Sequence, residues 1–364
     1  MASNPFTPTF GHEPRVLAGR GRLISDIVEG LENGPGDPNR STILIGPLGS
    51  GKTVLLDRIA KEVAPNGWIT ASVTCHPGML IELTEQVRLA GSEHLPSAST
   101  KRLSGLSIKG FSYTSERLPQ VEPTWRSQIT ELIETLNSKG IGLLLLVDEI
   151  NAAEPELIQL VVVYQHLVRE SRNAALIMAG LPGKVMQLFH HQTVSFLRRA
   201  FQHRLDAISA PEAEVAIDQT VRQAGKTIEA DALRQAAADS AGFPFLIQLI
   251  GFHAWRQASG AMITLEHVLI AAKLATADMD RMILETTVLE LSRRELEFVR
   301  AMAQDDPDSL TADIAARMAV SLNSAAQYRR RLIQRGVIAG AGYGRVRFEL
   351  PMLRDYLRRN HPIS

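Results

Sequence analysis

Gly46, Gly51, Lys52 and Thr53, in the stretch GPLGSGKT, match the pattern G-x-x-x-x-G-K-[ST] between the apolar run TILI and an amphipathic stretch. A strand that enters and a helix that leaves are the context phosphate chemistry requires. Backbone N–H groups through Gly49, Ser50, Gly51 and Val54 turn inward on phosphate oxygens at a helix N-terminus. Lys52 reaches the terminal phosphates, and the Thr53 hydroxyl is placed to bind Mg²⁺. The bland alternative is a glycine turn with an incidental Lys-Thr.

Asp148 closes the apolar run LLLLV, so its carboxylate is expected at the C-terminal edge of a buried strand neighbouring the phosphate-loop strand, where it can hold the Mg²⁺ shell. Glu149 follows directly, in the position of an acid that orients and deprotonates an attacking water. Capping of the next helix is the simpler reading of the same two carboxylates. FLRRAFQHRL adds Arg198, Arg199 and Arg204. An arginine there either stabilises transition-state charge, from the same or a neighbouring subunit, or is a surface residue on a short helix.

These residues need a scaffold. Strand patterns over TILIG, Trp68 to Thr74, Gly142 to Ile150, Ala174 to Gly180 and, more weakly, His203 to Ile208 alternate with helical patterns. That order predicts an α/β fold with a parallel sheet and helices on both faces. Before the sheet, Leu23, Ile24, Ile27 and Leu31 predict a helix from Gly21 to Leu31. Within the insertion at 91–123, GLSIKGFSYTS reads as a hairpin with loop-like flanks. After Ala210 strands are expected to stop, and four helical patterns predict a small all-helical domain. From Leu291 the order helix, helix-turn-helix, hairpin around GYG is that of a winged helix. The expected division is an N-terminal segment 1–40, a P-loop ATPase portion 41–210, a lid 211–287 and a winged helix 288–364.

Composition narrows the class. The 364 residues are 45% hydrophobic and 21% charged, as in an ordinary globular protein, and no apolar run approaches the ~20 residues of a membrane span. The N-terminus lacks a basic start followed by an apolar block, and Cys75 is the sole cysteine, so a cytoplasmic protein without disulfides is expected. Net charge is zero but uneven: from Ser321 to Ser364 there are nine Arg and no Lys against Glu349 and Asp355, a balance of +7. An anionic partner for that end follows. In the second helix of the helix-turn-helix, Leu322, Ala325, Tyr328 and Leu332 should face the core, leaving Asn323, Gln327, Arg330, Arg331 and Gln334 outward for bases and phosphates of double-stranded DNA. Arg345 and Arg347 flank the turn as a wing. A protein-docking module is the competing reading of the same surface.

Taken together, GPLGSGKT, LLLLVDE, the helical stretch and the winged-helix order resemble the AAA+-like ATPases of the archaeal-ATPase, signal-transduction and origin-initiator type, and look most like actinobacterial ATP-binding proteins of this architecture. VYQHLVRE and MAGLP are characteristic of the group. The resemblance implies ATP or ADP with Mg²⁺ as ligands. VLAGR, Val16 to Arg20, resembles the N-terminal box lying against adenine, and AGFPFLIQLIG resembles a Gly-x-Pro element with which the lid closes on nucleotide, which puts Arg20 and Pro244 near adenine or ribose. Arg199 is the residue that matches the arginine of related sequences, and a homo-oligomer is left open by it. Two departures stand out: Met178-Ala179-Gly180 supplies no polar sensor of the terminal phosphate, and the lid has no evident Gly-x-x-Arg. Slow hydrolysis by a switch protein is therefore the expectation, with DNA as the regulated ligand. The alternative is a regulatory scaffold whose winged helix docks a protein partner.

Overall fold

The computed structural model describes residues 3–9, 11–95 and 124–362; the hairpin expected over GLSIKGFSYTS lies outside them. β1 (Ser41–Ile45), β2 (Trp68–Thr74), β3 (Gly142–Asp148), β4 (Ala174–Gly180) and β5 (Phe201–Arg204) form one parallel sheet in the order β2-β3-β4-β1-β5. Every residue of β3 and β4 is buried, which is why both read as unbroken apolar runs. Side chains alternate between faces. Leu143, Leu145 and Val147 pack with α3 (Met79–Ala90), α4 (Trp125–Asn137), α5 (Pro155–Arg169) and α6 (Pro182–His190), whereas Leu144 and Leu146 pack with α1 (Gly21–Glu32) and α2 (Lys52–Val63).

Two expectations about the sheet are corrected. The strand carrying Asp148 does not neighbour β1; β4 lies between them and hydrogen-bonds to both. The last strand covers Phe201–Arg204 rather than His203 to Ile208. Leu205 N–H still reaches Ile45 O at 2.7 Å, but Ile208 N–H donates to Gly242 O at 2.8 Å, so the chain leaves the sheet to pair with the following helical layer.

That layer consists of α7 (Ala210–Gln223), α8 (Ala230–Asp239), α9 (Pro244–Gln257) and α10 (Leu265–Met279), which continues through a π-helical turn at Asp280–Leu284 into α11 (Glu285–Leu289). Strands do not stop at Ala210: β6 (Thr227–Ile228) and β7 (Met262–Ile263) pair in parallel. The N-terminal segment crosses to this layer, where Phe6 is buried against Gly251 and Asn4 Nδ2 donates to Phe252 O at 3.0 Å.

The C-terminal part contains α12 (Arg293–Met302), β8 (Ser309–Leu310), α13 (Thr311–Arg317), α14 (Leu322–Gln334), β9 (Ile338–Gly340), β10 (Arg345–Phe348) and α15 (Leu353–Asn360), its strands forming an antiparallel sheet β8-β10-β9. One apolar core runs from α7 into α15, and the expected boundary at 287/288 falls inside α11. Among the described residues no helix is long and apolar enough to cross a membrane.

Candidate nucleotide site

The phosphate-loop residues sit between β1 and α2 because the sequence supplies both a strand stop and a helix start. Gly49 and Gly51 have φ of +77° and +85°, a left-handed backbone that glycine adopts without steric cost, and the loop closes into α2 at Lys52. Lys52 is buried; its Nζ donates to Gly46 O at 3.0 Å and Pro47 O at 2.8 Å, carbonyls of the same loop. Burial pushes its ammonium below the ordinary lysine value, and the carboxylates of Asp148 and Glu149 oppose that shift.

Thr53 Oγ1 donates to Asp148 Oδ2, bringing together two groups 95 residues apart in sequence. Asp148 is 7% exposed, and its other oxygen accepts from Glu149 N–H at 2.8 Å. Glu149 itself is exposed with φ of +52°. A non-glycine residue pays on the order of 1 kcal/mol for that left-handed backbone. The strain turns the chain off the strand direction as soon as Asp148 has been placed. Both loops are pinned to the end of β4: Gly46 N–H donates to Gly180 O at 3.3 Å and Ile150 N–H to Ala179 O at 3.0 Å. Met178 and Ala179 are buried, so β4 contributes backbone and no polar side chain here. The first polar group beyond it is Lys184, whose Nζ reaches Asn151 Oδ1 at 3.2 Å.

The oxygens of exposed Thr53 and buried Asp148 converge at a half-buried position and suit a hard cation. Among the described residues no group of three or more His, Cys, Asp or Glu could hold a metal. Mg²⁺ does not need one, because it is commonly held by one or two carboxylates together with phosphate oxygens and water. The residues present therefore fit Mg²⁺ carried on a phosphate ligand.

Arg20 reaches the chain that leads into α7, and Pro244 is the first residue of α9. Arg20 Nη2 donates to Asp206 O at 2.8 Å, and burial lowers its pKa against the opposing charges of Asp206 and Glu212. Beside them, Gly19 and Gly242 both abut Ile208. Phe243, the residue between Gly242 and Pro244, was missed in the sequence reading: it lies against Gly49 of the phosphate loop. Arg199 ends a 3-10 segment, Gln192–Arg199, and is exposed; among the described residues it makes no hydrogen bond or ion pair, whereas Arg198 Nε donates to Phe189 O at 2.9 Å. Burial pushes the Cys75 thiol's pKa up.

On α14, Asn323, Gln327, Arg330 and Arg331 are exposed, as are Arg345 and Arg347 on β10. The four arginines make no hydrogen bond or ion pair among the described residues; burial raises the pKa of Glu349, and the charge of Arg347 opposes that shift. Gln334 is half-exposed; a Cβ on Gly183 would lie 2.1 Å from its Cα, so the backbone at the end of α14 rests on the start of α6. Leu322, expected in the core, is 61% exposed, because the helix begins there and has no layer above it.

Three solved structures cover almost the whole chain. The Walker-type ATPase PABY2304 of Pyrococcus abyssi is 15% identical, with TM-score 0.68 over 96% of this chain and 99% of that one. The Aeropyrum pernix ORC2 protein, described in ADPNP-ADP complexes, is 13% identical with TM-score 0.63, covering 97% and 96%. Cdc6p from Pyrobaculum aerophilum is 14% identical with TM-score 0.50, covering 97% and 96%. A sequence family described as a domain of unknown function (DUF8462) matches residues 281–357, and no curated protein matches the sequence. The chain shares its fold with these Walker-type ATPase, ORC2 and Cdc6p structures.

Proposed function

We propose that this protein binds Mg²⁺-ATP and hydrolyses it slowly, and that the nucleotide state controls engagement of double-stranded DNA by a winged helix formed from α12–α14 and the β8-β10-β9 sheet. The observation that carries the nucleotide reading is the meeting of Thr53 and Asp148 beside a buried Lys52, whose Nζ lies on the loop carbonyls of Gly46 and Pro47. Thr53 and Asp148 would hold Mg²⁺, which would supply neutralisation of charge on the phosphate. Lys52 would exchange its loop carbonyls for phosphate oxygens, and exposed Glu149 would take the proton of an attacking water. Arg199, exposed and unpaired among the described residues, would meet transition-state charge from the same or a neighbouring subunit, which makes a homo-oligomer part of the reading. A cytoplasmic setting agrees with a single cysteine.

The DNA reading is supported by Arg330, Arg331, Arg345 and Arg347, exposed on a helix and the adjoining strand, with Asn323 and Gln327 beside them for base edges. A labelled duplex titrated with protein, without nucleotide, with ADP and with a slowly hydrolysed ATP analogue, at two salt concentrations, tests it. Salt-sensitive binding that differs between nucleotides is expected. The packing of Gln334 on Gly183 favours a second reading, in which the C-terminal part docks its own ATPase portion or a protein partner; absence of DNA binding in every nucleotide state would select it.

A further inference from the structure

The lid lacks a recognisable charged sensor, and β4 ends without a polar side chain, so neither usual route connects bound phosphate to the helical layer. An apolar route is present instead. Gly49 is one of the two left-handed glycines of the phosphate loop, and a Cβ built on it would lie 2.8 Å from Cζ and 3.0 Å from Cε1 of Phe243, and 3.5 Å from Cβ of Phe245. The Phe243 ring therefore rests on the loop backbone itself. Phe243 is 6% exposed and stands at the start of α9, directly after Gly242. Gly242 in turn has φ of +68° and is pressed so closely on the Ile208 carbonyl that a Cβ would sit 2.0 Å from its oxygen. Ile208 N–H donates to Gly242 O at 2.8 Å, and Phe243 N–H donates to Ser240 O at 2.8 Å. The hinge between sheet and lid is thus backbone-bonded on one side of Phe243, and its ring is wedged against the phosphate loop on the other.

We propose that Phe243 is a positioning residue that couples the phosphate loop to the lid: its ring on Gly49 makes the anion-holding curve of the loop and the orientation of α9 a single arrangement, in place of a charge-based lid sensor. Two features follow from the chemistry. Gly49 must lack a side chain, both for its backbone angle and because any Cβ would displace the ring. The contact reports the shape of the loop rather than phosphate charge, so it is insensitive to salt. This inference rests on the nucleotide reading of the same loop and adds to it the element that responds.

The test compares Phe243→Ala, Phe243→Leu and Phe6→Ala with the unmutated protein, measuring ADP and ATP-analogue affinity by titration, turnover, melting temperature without nucleotide, and hydrogen exchange of the α9 amides with and without ADP. Phe6 belongs to the same helical core but touches Gly251, so Phe6→Ala controls for simple loss of packing. Loss of the ring leaves the binding-competent loop a minor state, and if it falls to about a tenth of the population, affinity falls about tenfold. Phe243→Ala is expected to weaken both nucleotides by about that factor and to abolish ADP-induced protection of α9, with Phe243→Leu restoring most of each. Phe6→Ala should lower the melting temperature with affinity unchanged. Equal affinity and equal protection in Phe243→Ala would overturn the proposal. So would tighter binding, which would mean that the ring occupies the ligand's own space. Failure of the unmutated protein to bind any nucleotide would instead refute the nucleotide reading, and this inference with it.

Discussion

The phosphate-loop end and the α14 face both carry the charge expected of an anion site, yet they hold it in opposite ways. At the loop, Lys52 and Asp148 are buried and already engaged by Gly46, Pro47, Thr53 and the Glu149 amide. On α14 and β10, Arg330, Arg331, Arg345 and Arg347 stand exposed, while elsewhere in the same region Arg335, Arg354 and Arg359 are spent on Glu295, Asp306 and Asp280. The first arrangement is preorganised, so single residues should decide binding there. The second is a screened surface on which charge adds up residue by residue and weakens with salt.

The sharpest separation should come from Glu149→Gln. Nucleotide binding is expected to survive while single-turnover hydrolysis falls by about 10²- to 10⁴-fold, the span of a lost general base. Undiminished turnover would show that another group positions the water. Lys52→Ala removes a charged donor worth up to about 3 kcal/mol, so nucleotide affinity should fall about a hundredfold in a calorimetric titration. On the other side of the comparison, Arg330→Ala combined with Arg331→Ala should reduce duplex affinity about tenfold and lower the slope of log affinity against log salt by about 2. A slope that does not move would place those arginines away from phosphate.

Gly183→Val probes the junction between the two regions. Its side chain would strike the backbone of Gln334, so α14 should lift from α6, seen as faster amide exchange at both elements, with duplex affinity rising about threefold as the docked state loses population. The smallest effect concerns an arginine that is already spent. Arg317 grips Asp305 at 2.5 and 2.7 Å and holds its carboxyl below the usual aspartate value. A depressed carboxylate contributes stability present above the unfolded pKa and lost as pH falls through the folded one. Asp305→Asn should thus lower the melting temperature slightly near neutrality and flatten its decline in acid, without altering DNA affinity.

Much of the site was legible because it is local or periodic. GPLGSGKT places a turn, a helix start and a lysine within eight residues, and LLLLV ending in Asp148 fixes a buried strand with its acid at the edge. β2 and β4 were bounded correctly by their apolar runs. The placement of β4 between β1 and β3 was not legible, since strand order depends on crossovers that leave no local pattern. The same holds for β5, whose last residues are drawn off by Gly242, and for Leu322, whose helical phase is right but which meets no packing layer.

By itself, the sequence determined which chemistry is affordable: an anion-cradling loop, two carboxylates after a buried strand, and an arginine-rich C-terminal end. Tertiary structure decided how those groups are used, because pairing and burial depend on neighbours distant along the chain. It joined Thr53 to Asp148, divided the C-terminal arginines into engaged and exposed sets, and set the backbone of Gln334 against α6. It also laid Phe243 on Gly49, a contact between residues 194 positions apart that leaves no local pattern in the sequence.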